Sequence, residues 1–202
     1  MVIDKKFKGL VKEDFRYVFN GDIETTESLE VDLDMGLFVT GSIKAGRDIE
    51  AGWSIEAGES IEAGESIEAG GSIEAGGSIE AGGFIKAGGF IKAGESIEAG
   101  EYIEAGESIK AGESIEAGES YGIIAGLSIT CKGILSFGLK AFAGICNWME
   151  ISDEDKTITC GKLESGTIEY GILRETGVEE SDDKTQEAMR LLKEKGYKIV
   201  RQ

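Results

Sequence analysis

The chain of 202 residues contains no histidine and no proline, set against 31 glycines. Losing histidine removes the commonest general base and the commonest metal ligand together. Cysteine is scarce: Cys131, Cys146 and Cys160 form no Cys-x-x-Cys pair, which excludes zinc-ribbon and thioredoxin-type sites. An odd number in an intracellular chain reads as three reduced thiols. No long apolar run occurs either. The N-terminus, Met1 to Lys6, has no apolar signal core, and the most apolar stretch, Tyr121 to Met149, is glycine-rich and carries Lys132 and Lys140. That is a poor membrane span, so a cytoplasmic protein is expected. Positive charge is in deficit, 21 basic residues against 39 acidic ones, for a net charge of −18 and a pI near 4.4. Such a field repels nucleic acid and anionic membranes; basic proteins are its natural partners. No nucleophile elbow, phosphate loop or metal cluster stands out. Neither an enzyme, a cofactor nor a metal is expected.

What is present is a repeat. Isoleucine recurs every six residues from Ile43 to Ile115 in the unit Ser-Ile-Glu-Ala-Gly-(Glu or Gly). Six is not a helical period, and an α-helix would smear these isoleucines around its surface. As a strand the unit is coherent. Isoleucine and alanine, two apart, share one face and the intervening Glu or Lys points the other way. The following glycine is expected to turn the corner with a positive φ. One unit cannot bury its isoleucine, but stacked units make a continuous interior. Three units close a triangular coil of 18 residues, so residue n lies beneath residue n+18. The expected fold is all-β, a three-sided parallel β-helix of undetermined hand with a small C-terminal strand and helix appendage.

The register extends beyond the perfect units. Val31/Leu33 and Leu37/Val39 fit upstream. Ile123/Ala125, Ile129/Cys131, Leu135/Phe137 and Ala141/Ala143 fit downstream, after a two-residue insertion near Ser120 to Gly122. Residues 1–28 are expected to cap the first coil, 29–147 to form the solenoid in six to seven coils, and 148–202 to add strands and a helix over Lys184 to Lys195.

Counting by eighteen sorts the outward residues. One column reads Lys44, Glu62, Glu80, Glu98, Glu116, with Glu59, Glu95 and Glu113 beside it; a second reads Glu50, Glu68, Lys86, Glu104; a third Glu56, Glu74, Lys92, Lys110. Stacked like charges are destabilising, which points to recruitment for binding rather than folding. Between Ile43 and Ser120 seventeen acidic residues face five basic ones, a net of −12. At the ladder spacing this is one negative charge per roughly 1.7 Å of axis, the axial charge density of duplex DNA. Generic solubility is the competing account of so acidic a surface. Trp53, Phe84, Phe90 and Tyr102 interrupt the polar exterior as a candidate aromatic contact patch. From Tyr121 charge nearly vanishes, and Tyr121, Ile124, Leu127, Ile134, Leu139 and Phe142 form an outward apolar zone. Either the C-terminal helix or a second copy must cover it; a homodimer is expected.

The repeat resembles the hexapeptide acyltransferases in its 18-residue coil. Their unit, however, has a small residue two before the aliphatic one, where this chain has Glu, Gly, Trp or Arg, and their catalysis uses histidine. It is also similar to bactofilins, which polymerise end to end. A nearer likeness, through about Leu173, is to short Ser-Ile-Glu-Ala-Gly repeat proteins of phages and prophages of Gram-positive bacteria. Small acidic phage proteins often inhibit host defence as anti-CRISPR or anti-restriction DNA mimics. The resemblance therefore implies a non-enzymatic inhibitor in a bacterial cytoplasm, whose Glu59, Glu62, Glu80, Glu95, Glu98, Glu113 and Glu116 fill the basic nucleic-acid groove of a host protein. A self-assembling scaffold or virion component is the alternative.

Overall fold

A computed structural model describes residues 1–177. Among these residues, twenty-seven short strands stack into three sheets, parallel but for one pairing, the three faces of a β-solenoid of about nine coils. Face 1 carries Ile49–Ala51, Ile67–Ala69, Ile85–Ala87 and Ile103–Ala105, and ends on Ile123–Ala125, Lys140–Ala143 and Thr167–Tyr170. Face 2 contains Ile55–Ala57 to Ile109–Ala111, and face 3 contains Ile43–Ala45 to Ile115–Ala117. Within the perfect repeats each isoleucine pairs with the isoleucine eighteen residues on, as Ile61 with Ile79 and Ile79 with Ile97. Every repeat isoleucine from Ile43 to Ile115 is buried, nearly all with no exposed surface. Burying one such side chain is worth about 1.5–3 kcal/mol. No helix occurs among the described residues; the helix expected over 184–195 lies outside them.

Serine and glycine in the unit each have a structural task. The hydroxyl of Ser60 accepts the N–H of Ser78, and that of Ser72 accepts the N–H of Phe90. A serine thus satisfies a corner amide of the coil below it. The glycine corrects the expectation of positive φ, because none of the repeat glycines has one. A Cβ on Gly64 would sit 2.2 Å from the carbonyl oxygen of Gly46, and one on Gly82 2.3 Å from that of Gly64. Coils approach at the corner too closely for a side chain.

The stack also runs further than six to seven coils. Val2–Ile3 pairs with Leu29–Val31, Arg16–Phe19 with Gly36–Val39, and Ile23–Thr25 with Ile43–Ala45. Thr157–Cys160 and Ile172–Glu175 continue face 2, and Lys162–Leu163 continues face 3. What obscured these coils is loop length. Ile129 pairs with Ile158 across the long corner following Ala143, so counting by eighteen fails there. Upstream, Leu29 and Val31, not Val31 and Leu33, take the inward positions, and Leu33 is an additional buried residue of the wider corner. The two-residue insertion after Ala117 is as expected: Ile97 pairs with Ile115, but Ile103 pairs with Ile123. The strand Leu10–Lys12 departs from the parallel pattern, folding back antiparallel on Arg16–Phe19 at the end of face 2.

Candidate functional site: a carboxylate face

The three outward columns form as counted, but the cations divide them unequally. On face 2, Glu56 is held by Arg16 at 2.8 Å and Glu74 by Lys92. On face 1, Lys86 lies 3.8 Å from Glu68. On face 3, Lys44 binds Glu62 at 2.6 Å, and this contact holds the Lys44 ammonium above its ordinary value. Beyond Glu62, the carboxylates of Glu80, Glu98 and Glu116 follow one another in direct register. Among the described residues no lysine or arginine makes an ion pair with any of the three. Face 3 therefore carries the least compensated charge.

Its borders add to it. Glu59, Glu95 and Glu113 stand on the corner leading into face 3, where Glu59 and Glu95 accept hydrogen bonds from Ser42 and Ser78. Glu65, which is paired with Arg47 at 3.2 Å, and Glu101 occupy the corner on its other side. A shallow furrow of about 400 Å³ runs along the face, lined by Lys44, Glu62, Glu80 and Glu98 together with Gly46, Gly64 and Gly82. Neighbouring rungs are about 4.8 Å apart, and each like-charged contact there costs on the order of 1 kcal/mol in water before screening. A cation laid in the furrow relieves that cost.

The aromatic residues do not form one patch. Phe84 and Tyr102 stack with ring centroids 5.0 Å apart and planes within 8°. They occupy the corner between faces 3 and 1. Phe90 and Trp53 lie on the corner at the opposite edge of face 1, and Trp53 is 55% exposed. The apolar zone also divides. Ile124 and Phe142 pair in register on face 1; Tyr121 and Leu139 are joined by a backbone hydrogen bond on the Phe84/Tyr102 edge. Leu127 stands on the opposite edge. Ile134 is apart, at the start of a face 3 strand, where its N–H meets the Ser114 hydroxyl. Tyr170 escaped the sequence reading: it lies under Phe142 on face 1 through a shifted register that a count by eighteen cannot reach. Phe15, an aromatic of the segment expected to cap the first coil, instead stands 89% exposed at the tip of the N-terminal hairpin.

The three cysteines carry free thiols. Cys131 and Cys160 fill inward positions, and burial pushes the Cys131 thiol up to about 12. No group of three or more metal-ligating side chains occurs among the described residues, and no helix there is long and apolar enough to cross a membrane. Comparison with protein-family models, with curated proteins and with solved structures gave no match.

Proposed function

We propose that this chain is a non-enzymatic binding protein whose face 3 occupies the basic, nucleic-acid-binding groove of another protein, as a DNA mimic. The observation that carries the reading is the uncompensated row Glu80, Glu98, Glu116, stacked in register and bordered by Glu95 and Glu113. A row of carboxylates repeating along a rigid axis presents a basic groove with the charge pattern of a phosphate backbone, and its rigidity spares the ordering cost of a flexible acidic tail. The target is a host nuclease or surveillance complex of the defence type, and the setting is a bacterial cytoplasm. A homodimer joined through a face other than the carboxylate one leaves that row free to bind.

The test is competition with labelled duplex DNA for a panel of bacterial nucleic-acid-binding proteins at low and at high salt. The expected result is displacement at low salt that weakens at least about tenfold at high salt, since opposed charged surfaces are screened. Glu62→Gln, Glu80→Gln, Glu98→Gln and Glu116→Gln together should abolish it. Salt-independent displacement, or full activity of the fourfold variant, would overturn the reading. End-to-end assembly into a scaffold is the alternative; against it, the antiparallel strand Leu10–Lys12 ends face 2 at the N-terminal side, where a polymer needs a parallel edge.

A further inference from the structure

We propose that two copies of this chain associate through the C-terminal half of face 1, leaving both carboxylate faces turned outward. Along face 1 the outward column reads Glu50, Glu68, Lys86, Glu104, and then changes character to Ile124, Phe142 and Tyr170. The stacked pair Phe84 and Tyr102 and the 58% exposed Leu139 border the same stretch along one edge. The apolar column thus covers the last three rungs of face 1, and along its edge Phe84 and Tyr102 extend the apolar surface by two rungs more. An apolar surface of that extent is an interaction surface.

Charge selects the occupant. From Tyr121 to Met149 there is no acidic residue and there are two lysines, in a chain whose net charge is −18. A basic partner is drawn to the glutamates elsewhere and gains nothing on this stretch. A second copy, equally acidic, is repelled by the carboxylate row of face 3 and meets its twin on this stretch without facing carboxylates. A two-fold contact brings the same patch of each subunit together and needs no further complementary surface. The Lys140–Glu169 ion pair at 2.7 Å closes part of the rim within one subunit. Because face 3 is a different side of the triangular coil, its glutamates remain accessible in such a dimer.

Sedimentation equilibrium of the full chain across a wide concentration range tests this. The expected mass is twice the chain's 21.5 kDa, and raising the salt should strengthen association by screening the repulsion between acidic subunits. Leu139→Glu with Tyr170→Glu, both at exposed positions, should give single chains with an unchanged far-ultraviolet spectrum, and Ile124→Glu serves as an independent variant. Glu98→Lys on face 3 should leave the dimer intact. Single chains in the wild type at all concentrations, as would follow if the chain's own C-terminal residues cover the patch, would refute the dimer. So would a dimer that persists in both face 1 variants. This inference stands apart from the DNA-mimic reading: the monomeric variant should keep its salt-sensitive competition with DNA, whereas the fourfold glutamine variant should keep its dimeric mass.

Discussion

Glycine in this repeat is selected by contact, and that distinguishes otherwise identical positions. Gly82→Ala drives a Cβ against the carbonyl oxygen of Gly64, 2.3 Å away, and should cost about 3 kcal/mol, among the larger single-residue effects. Gly52, above the widened corner at Asp32 to Met35, has nothing within 4 Å of the same added carbon and no positive φ. Gly52→Ala should be neutral or stabilising by about 0.4–1 kcal/mol through the unfolded chain. Chemical denaturation of the two variants checks both values, and equal losses would contradict the contact argument. Asp34 supplies a second case. Hydrogen bonds from Lys5 and Tyr17 hold its carboxyl below the ordinary 3.8. A depressed folded value means the contribution is present above pH 3.8 and disappears as the pH falls through the folded value. The melting temperatures of wild type and Asp34→Asn should therefore differ at neutral pH and converge in acid. The buried thiols of Cys131 and Cys160 should resist thiol reagents that label the partly exposed Cys146, until the chain unfolds.

Each strand is only three or so residues long, far too short to be stable alone. Its persistence comes from the strands above and below it, and the serine column is part of that coupling. Ser60→Ala removes the acceptor for the Ser78 N–H and should cost about 1 kcal/mol, measurable as a shift in the denaturation midpoint. The element pattern was legible wherever the unit is intact, because isoleucine and alanine two apart admit one strand orientation and one coil length. Legibility failed at the corners. Ile158 and Tyr170 belong to the same faces as Ile129 and Phe142, yet lie 29 and 28 residues from them, and no periodicity reports a loop of arbitrary length. The role of the corner glycines was hidden for a related reason: two backbones in close approach leave the same residue type as a positive φ.

Across the molecule, outward charge and inward packing are independent variables, since isoleucine and alanine alone hold the coil together. The charge columns followed from the sequence once the coil length was known. Which column is uncompensated did not, because Arg16 reaches Glu56 across a separation of 40 residues. Self-repulsion along face 3 implies that added salt should raise the melting temperature of the free chain, whereas the proposed capture of a basic partner should weaken. Two responses of opposite sign from one protein would separate folding from binding electrostatics.

The two-residue corner insertion after Ala117 leaves faces above and below it aligned, so the angle between the glutamate row and the apolar end depends on how many units lie between them. Eighteen added residues lengthen the row by one carboxylate and preserve that angle. Six added or removed residues swing the entire C-terminal end by a third of a revolution, onto another side of the prism. Copy number in a tandem repeat is easily altered by recombination, yet here only every third length keeps the glutamate row and the apolar end in phase.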